Sequence, residues 1–491
     1  MPFNNPLKEE DNLNQYPVWN YTADVSVKFV LAPGDTNGPT KYFEVNSQMQ
    51  GDNATVAYVQ EAIFTRLCNG IGQFQIAIVD PTWNTVEPTV IAARGVCEIQ
   101  YGYIENRTST YQSPIYAARA FHYELDYDIG RVIIKISGLL TGYNLVTTKD
   151  GWIFDKKSVT ITEMLKTIAT KFELNMEDGI IEPINNSLPV DFGDLVSSKK
   201  TPLRIGNSSG ETPLQVITQK LVNHANSNSG DGGFIFSMSH TNQKGVKVAK
   251  PVMNFCTAAY KESKDQENGG LRKKVYKIFD AKPDVRVLDY KPSWNASLVN
   301  VSGGTGVVNK FVDRNTGEIK TTTAEGNADK NSTSQVKKEA VNQRPQPGLP
   351  GPAGAAEANI KNEVGYAAMC PLTAELTILG DPSCEVLDSI EVVVNVPNLA
   401  QISNTISGGY LIKQVIDKIS QGKFITQLSL MVSPRTLGLN YSGIPTPVVA
   451  NKSTVTTPAN SNQTPSPLPN PLNYSTQNLP IDIVMRTSFS P

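Results

Sequence analysis

The stretch that decides the fold opens Leu376-Thr377-Ile378-Leu379-Gly380-Asp381-Pro382 and continues to Pro434. Further along it, apolar side chains occupy every second position, first from Ile390 to Val396 and again from Phe424 to Val432. Successive side chains of a β-strand point to opposite faces of the sheet, so this period predicts strands that are buried on one face. Gln421-Gly422 precedes the last strand, where a hairpin turn is expected. The stretch is therefore predicted to form a small, closed or nearly closed antiparallel β-barrel.

The order of these features resembles a known family of proteins. An apolar strand runs into Gly380-Asp381-Pro382, a β-rich strand follows, then Gly409-Tyr410-x-Ile412, then a Gly turn with Phe424-x-Thr426-x-Leu428-x-Leu430. This order is similar to the closing barrel of phage tail hub proteins of the late control protein D type. It is also similar to the N-terminal hub part of type VI secretion spike proteins. The resemblance implies a trimeric structural hub with two such barrels per chain, and it supplies no catalytic residue to carry over.

Residues 20–148 are also predicted to be mostly β. Asn69-Gly70 separates two alternating segments, which is a strong signal for a β-hairpin. Gly72-Gln73-Phe74 leads into a strand ending at Pro81, much as Gly422-Lys423-Phe424 leads into a strand ending at Pro434. A duplicated barrel would produce this internal similarity, and so would chance, because a glycine turn followed by a strand is common. The pattern favours the duplication.

The middle of the chain changes character. Thr160-Ile161-Thr162-Glu163 is a capping box that predicts a helix beginning at Ile161. Thr212-Pro213-Leu214-Gln215 predicts a second helix, with proline at the first helical position, where its missing N–H costs nothing. Two short amphipathic helices between β segments indicate an α+β insert packed beside the barrels.

Two segments are predicted to lack a core of their own. Residues 315–360 are poor in apolar side chains, so they cannot offset the entropy of ordering and are predicted to be a flexible loop or linker. Residues 440–491 are rich in proline, which excludes a helix or a central strand and predicts an extended arm lying on a partner.

The predicted fold class is mainly β with an α+β insert. It comprises two similar small antiparallel β-barrels per chain, an extended linker and a C-terminal arm. The predicted domains are a first hub β-barrel at 1–150, the α+β insert at 151–314, the linker at 315–360, a second hub β-barrel at 361–439 and the Pro-rich arm at 440–491.

Composition excludes several classes of function. The chain has 491 residues, a formal net charge of −2 and 18% charged residues, so it carries no electrostatic footprint for nucleic acid. No secretory signal and no apolar run long enough to span a bilayer is found in the sequence. Five cysteines without a CxxC pair indicate buried thiols of a protein assembled in the cytosol rather than a disulfide framework. They are Cys68, Cys97, Cys256, Cys370 and Cys384.

Three patterns in the sequence partly match catalytic or metal sites. Gly206-Asn207-Ser208-Ser209-Gly210 matches the nucleophile elbow of serine hydrolases, but the next helix cap comes four residues late, at Thr212, so a polar loop is favoured. Glu124, Asp126 and Asp128 alternate along one strand and are predicted to share its solvent face rather than to bind a cation or cleave a glycoside. Residues 226–233 resemble a calcium loop without the distal bidentate glutamate. No catalytic, cofactor-binding or metal residue is predicted, and no cofactor.

The resemblance therefore implies a non-enzymatic baseplate hub, a homotrimer that adapts a three-fold spike to a six-fold tail tube. Its expected partners are tail tube proteins, the central spike and other baseplate subunits, with no membrane and no specific nucleic acid. The expected location is the virion tail, after assembly in the host cytoplasm. Two alternatives stay open. One is a virion adhesin or carbohydrate-binding module, which would show clustered exposed aromatic residues, and the other is a hydrolase centred on Ser208.

Overall fold

The structure is a computed structural model, and it describes only part of the chain. The described residues are 22–32, 41–47, 57–81, 95–105, 108–128, 130–149, 152–154, 159–184, 203–205, 211–222, 225, 233–243, 246–267, 274–278, 284–294, 308–312, 319–325, 335–336, 372–394 and 406–432. The chain divides into two units, Met1–Ile444 and Pro445–Pro491, and the second lies outside the described residues. The predicted arm at 440–491 lies outside them as well.

The elements follow one another from an all-β first part through a mixed middle part to an all-β last part. The first strands are β1 (Thr22–Ala32), β2 (Lys41–Asn46), β3 (Tyr58–Leu67), β4 (Gln73–Asp80), β5 (Val96–Glu105), β6 (Thr108–Gln112), β7 (Tyr116–Asp128) and β8 (Arg131–Leu139). The middle elements are α1 (Asn144–Thr147), β9 (Trp152–Phe154), α2 (Ile161–Lys171), β10 (Leu203–Ile205), α3 (Pro213–Gln215) with the π-helical segment Val216–Leu221, β11 (Phe234–Thr241), β12 (Lys247–Thr257) and α4 (Ala258–Glu267). The last strands are β13 (Lys274–Ile278), β14 (Val287–Trp294), β15 (Val308–Val312), β16 (Ile319–Glu325), β17 (Gln335–Val336), β18 (Leu372–Leu379), β19 (Ser389–Val394), β20 (Gly408–Ser420) and β21 (Lys423–Val432).

Fourteen strands from both ends of the chain form one sheet. Its order is β14-β18-β21-β20-β3-β4-β8-β7-β5-β1-β2, with β19 beside β20, β13 beside β19 and β6 beside β5. The mainly β fold class predicted from the sequence is confirmed. Among the described strands no ladder closes either half into a complete barrel. The two halves meet at the antiparallel pair β3–β20.

Two sets of five strands in this sheet repeat the same arrangement. The first set is β3-β4-β8-β7-β5 and the second is β14-β18-β21-β20-β19, in the same order and with the same antiparallel pairings. The register also agrees. Arg119 of β7 pairs with Leu139 of β8 and with Val96 of β5. Leu411 of β20 pairs in the same way with Met431 of β21 and Ser389 of β19.

Irregularities of the ladders coincide as well. The β3–β4 register shifts at Gln60, and the β14–β18 register shifts at the equivalent Leu288. The β7–β8 register shifts at Phe121, and the β20–β21 register shifts at the equivalent Lys413. A bulge adds one residue to one strand and fixes its register, so a chance match of two bulges and four pairings is implausible. The chain therefore contains an internal structural repeat.

The sequence similarity noted between the two halves aligned the wrong strands. It matched β4 with β21, because both follow a glycine-containing turn as the second strand of a hairpin. The register instead makes β4 equivalent to β18 and β8 equivalent to β21. The β7–β8 turn carries Gly130 at φ 80°, and the β20–β21 turn carries Gly422 at φ 74° after Gln421 at φ 52°. Positive φ at both turn residues, as at Gln421 and Gly422, is the geometry that matches the twist of a two-residue hairpin.

The α+β part has its own core beside the sheet. Both predicted helix starts are confirmed: Thr160 and Glu163 form a complete capping box, and so do Thr212 and Gln215. Helix α2 buries its apolar face against the β11–β12 hairpin. The predicted hairpin around Asn69-Gly70 is also confirmed, since β3 and β4 pair across it.

The structure adds strands to two of the predicted domains. Residues 151–314 contain β13 and β14, which pair with β19 and β18 of the segment 361–439. Residues 315–360 contain β16 and β17, which pair with each other although composition predicted a loop. The ladder between β15 and β16 supplies hydrogen bonds that composition does not reveal. The five-domain division stays a prediction.

Candidate assembly interface

The junction between the two halves of the sheet is a continuous ladder. It runs from the pair Glu61–Ser420 to the pair Leu67–Gln414. The amide of Cys68 extends it by donating to the carbonyl of Lys413 at 3.0 Å. Hydrogen-bonded pairs alternate with non-hydrogen-bonded pairs in an antiparallel ladder. The amides of Cys68, Arg66 and Phe64 therefore point toward β20, and those of the residues between them point toward β4.

A buried ion cluster lies on the inner face of this junction. Arg66 of β3 is 5% exposed, and its guanidinium lies 2.5 Å from a carboxylate oxygen of Asp417 on β20 and 3.2 Å from one of Glu385. It also donates to the hydroxyl of Tyr116 at 3.0 Å. Asp417 is fully buried and Glu385 is 1% exposed. The cluster thus joins β3, β20, β7 and the loop after β18 around one cation.

Hydroxyl groups complete the surroundings of Asp417. Tyr101 donates to one carboxylate oxygen at 2.6 Å, and Thr426 donates to the other at 2.6 Å. The Tyr101 ring stacks on Phe64 with centroids 4.2 Å apart. Burial raises the pKa of Asp417, and the Arg66 charge and these hydrogen bonds oppose that rise. Removing Arg66 would therefore leave a buried carboxylate that water does not stabilise.

The motif Gly380-Asp381-Pro382 packs the second half against the first. A Cβ atom at Gly380 would lie 2.0 Å from Cγ of Phe424, so only glycine allows the ring to sit there. Asp381 accepts from Lys274 at 2.8 Å and from the Tyr111 hydroxyl at 2.7 Å. Burial acts to raise the pKa of Asp381, but the charge and hydrogen bond of Lys274 lower it below its ordinary value. Because Tyr111 belongs to β6, its hydrogen bond to Asp381 also connects the two halves.

Two further strand edges carry exposed apolar side chains. The exposed fractions of Phe121, Leu125 and Tyr127 on β7 are 48%, 59% and 67%. Beside the start of β14, Val285 is 47% exposed, and Leu288 on the strand is 50% exposed. With Ile115, which directly precedes β7, six of the seven large apolar side chains that are exposed within the described residues lie on or beside β7 or β14. Such a concentration is typical of a surface that is covered in an assembly.

The candidate carboxylates lie where the sequence predicted them. Glu124 and Asp126 are on β7 beside Lys135 of β8, with nitrogen–oxygen distances of 3.8 Å and 3.3 Å. These pairs are solvent-exposed, as expected for the outer face of a strand. Asp128 ends the same strand. Within the described residues no group of three or more His, Cys, Asp or Glu side chains could hold a metal ion.

Other candidates fall elsewhere. Ser208 and residues 226–232 lie outside the described residues. Cys68, Cys97, Cys256 and Cys384 are buried thiols and form no disulfide, as predicted, while Cys370 lies outside the described part of the chain. No helix within the described residues is long and apolar enough to cross a membrane.

Sequence reasoning did not identify the groups that hold the two halves together. Arg66 and Asp417 are 351 positions apart, and no local sequence pattern predicts an ion pair between them. One signal was present: both interrupt strands whose other inward positions are apolar, and a charge at such a position needs a partner.

Comparison with known proteins gives structures of related fold. The 43 kDa tail protein of prophage MuSo2 from Shewanella oneidensis is 13% identical, and the match covers 84% of this chain and 99% of that chain with a TM-score of 0.45. The tail protein from Neisseria meningitidis MC58 is 10% identical, with coverage of 84% and 97% and a TM-score of 0.44. The E. coli c3393 protein, a component of the type VI secretion system, is 9% identical, with coverage of 77% and 75% and a TM-score of 0.40.

No protein-family model matches the chain, and no curated protein sequence matches it. The similar structures are phage tail proteins and a type VI secretion protein, the same classes that the stretch from Leu376 to Pro434 resembles. Their identities are at most 13% and their TM-scores lie below 0.5. The function of this chain therefore has to be inferred from its own residues.

Proposed function

We propose that this chain is a structural, non-enzymatic hub of a phage tail baseplate, and that it works as a homotrimer. The observation that supports the proposal is the internal repeat, in which two five-strand sets with the same register are joined edge to edge through β3 and β20. Three chains would supply six such sets. A trimer would then present near six-fold symmetry to a tail tube and keep three-fold symmetry for a spike.

The junction inside the chain supports a structural role for the ring. It combines a seven-residue ladder with two ion pairs that bridge the halves, from Arg66 to Asp417 and from Arg66 to Glu385. A buried ion pair fixes geometry more than it adds stability, since desolvation offsets much of its Coulomb attraction. A fixed angle between neighbouring sets is what a ring of defined size requires. The partners proposed on this basis are tail tube proteins on one face and the spike and other baseplate subunits on the other.

The mass of the purified protein in solution tests the proposal. Light scattering at micromolar concentration should give three times the 53.4 kDa mass of one chain. End-on views by negative-stain microscopy should show a ring with six similar lobes. A monomer with no ring at any concentration tested would overturn the proposal.

A further inference from the structure

The two long strands β7 and β20 are equivalent, but their outer edges differ in what they pair with. On β20, residues 408–411 pair with β19, and residues 414–420 beyond the bulge pair with β3. On β7, residues 116–119 pair with β5 in the same way. Beyond Arg119, no strand in the described part of the chain continues the ladder on that side of β7. The position that β3 occupies beside β20 has no counterpart beside β7.

The strand equivalent to β3 shows the complementary difference. β3 pairs with β4 on one edge and with β20 on the other. β14 pairs with β18 as β3 pairs with β4, and among the described strands it has no ladder on its second edge. Each chain thus has two edges without a partner strand among the described residues. The edge of β7 in the first set lacks a neighbour like β3, and the edge of β14 in the second set lacks a neighbour like β20.

We infer that β7 of one copy pairs antiparallel with β14 of the next copy, in the register that β20 and β3 have within the chain. The inference rests on the proposed homotrimer and names the contact that builds it. Transfer of the register places Asp126 opposite Lys291, Leu125 opposite Pro292, and Tyr127 opposite Tyr290. The observed counterparts are Lys418 opposite Ile63, Asp417 opposite Phe64, and Ile419 opposite Ala62.

The inner face of the inferred contact is apolar. Leu125 pairs across the sheet with Ile134, which is 2% exposed, so both point to the core side of the sheet. Leu125 is nonetheless 59% exposed at that edge. At the junction within the chain, Ile419 occupies the place equivalent to Tyr127 and is 3% exposed. A neighbouring β14 would cover Leu125 in the same way that β3 covers the inner face of β20.

The outer face offers opposite charges. Asp126 and Lys291 are both solvent-exposed, and each pairs within its own half, with Lys135 at 3.3 Å and with Asp289 at 2.6 Å. Opposite charges that lie directly across two strands stabilise the pair. The junction within the chain carries a charge pair on the same face, between Lys418 and Glu61 at 3.0 Å.

Proline at position 292 fits this assignment. It is equivalent to Phe64, whose amide points toward β20 rather than toward β4. The missing N–H of Pro292 therefore costs the β14–β18 ladder no bond, although proline is rare inside paired strands. It removes one donor from the inferred contact, while the carbonyl of Pro292 can still accept from the amide of Leu125.

The contact joins two different edges, so each copy uses β7 on one side and β14 on the other. A head-to-tail contact of this kind forms a ring if the rotation closes and a filament if it does not. With three copies the ring would contain six five-strand sets, joined alternately within and between chains.

Disulfide cross-linking tests the register. The pair 126–291 corresponds to 418–63, which is a non-hydrogen-bonded pair, and such pairs have Cα atoms about 4.5 Å apart. This separation is within the range that a disulfide spans, about 4.4–6.8 Å. The variant Asp126→Cys/Lys291→Cys should form covalent dimers and trimers on mild oxidation, with no larger species on a non-reducing gel. A mixture of the two single variants should form dimers only.

Two matched variants calibrate the result. Ile63→Cys/Lys418→Cys places the same pair at the observed junction. On oxidation its two introduced thiols should form a disulfide within one chain, without any increase in mass. Asp126→Cys/Ser293→Cys keeps the same face but shifts the partner by two residues, to a diagonal separation of about 7–8 Å, so it should cross-link at least five-fold less. The unsubstituted chain shows the background from its native thiols.

The outcomes separate the contact from the proposed function. A trimeric mass with equal cross-linking of the 126–291 and 126–293 pairs would overturn the contact and leave the hub proposal standing. A monomer would overturn both. Leu125→Asp should convert the trimer to a monomer, because the carboxylate would be buried in the contact. Val246→Asp, at a site 57% exposed beside the start of β12, should leave the mass unchanged. A trimer formed by Leu125→Asp would refute the contact.

Discussion

Replacement of Arg66 by methionine should be one of the most damaging single changes at the junction between the two halves. Arg66 is the cation that faces Asp417 at 2.5 Å and Glu385 at 3.2 Å, and all three side chains are almost fully buried. Removal of one partner from a buried pair costs about 3–5 kcal/mol, because the remaining charge is no longer compensated. Methionine fills most of the volume, so the cost reports charge rather than a cavity.

A matched control lies on the opposite face of the same ladder. Lys418 on β20 forms an ion pair with Glu61 on β3 at 3.0 Å, but both side chains are substantially exposed. Lys418→Met should therefore cost less than about 1 kcal/mol. The assay is denaturant unfolding followed by far-UV circular dichroism, with the free energy of unfolding of each variant compared with that of the unsubstituted chain.

The pH dependence of the unfolding free energy gives a second test of the buried pair. Burial already raises the pKa of Asp417, and loss of Arg66 would raise it further. The deficit of Arg66→Met should then shrink as the pH falls and Asp417 takes up a proton. The double variant Arg66→Met/Asp417→Leu should cost less than Arg66→Met alone. If Arg66→Met costs no more than Lys418→Met at neutral pH, the buried pair does not hold the halves together and the reasoning is wrong.

Three further changes test other parts of the molecule. Gly380→Ala should destabilise the fold by about 1–3 kcal/mol, since its methyl group meets the ring of Phe424, and Phe424→Leu in the same chain should recover part of that loss in thermal unfolding. Burial, with the Arg66 charge adding to it, lowers the pKa of His240 to about 4. The unfolded chain binds that proton first, so up to about 3 kcal/mol of stability should be lost as the pH falls from 6.5 to 4, and His240→Gln should flatten that part of the pH profile. A serine-reactive probe should label neither the unsubstituted chain nor the Ser208→Ala variant. Labelling of the unsubstituted chain that Ser208→Ala abolishes would instead favour the hydrolase.

The strands were predictable where their physics is local. Alternation of apolar residues from Phe424 to Val432 locates β21, and the box formed by Thr160 and Glu163 locates the start of α2. Both signals depend on neighbours within four residues. The edge strand β2 and the short β6 gave no comparable signal, because few of their residues alternate.

The repeat was only partly predictable, because its evidence is in the pairing of strands far apart in sequence. Gly72 and Gly422 both open a second hairpin strand, so local similarity matched β4 with β21. The bulges at Phe121 and Lys413 show the true equivalence, yet neither residue type marks a bulge in the sequence. The candidate interface was missed for the same reason, since Leu125 has the pattern of an ordinary strand residue until the β5–β7 ladder is known to end at Arg119.

Electron cryo-microscopy of the assembled protein tests the central claim most directly. In the density of the ring, β7 of one copy and β14 of the next should lie about 4.8 Å apart, as neighbouring strands of one sheet do. Asp126 should face Lys291, and the sheet should run without interruption through six five-strand sets. A trimer in which β7 and β14 are separated by solvent, or paired in another register, would contradict the account.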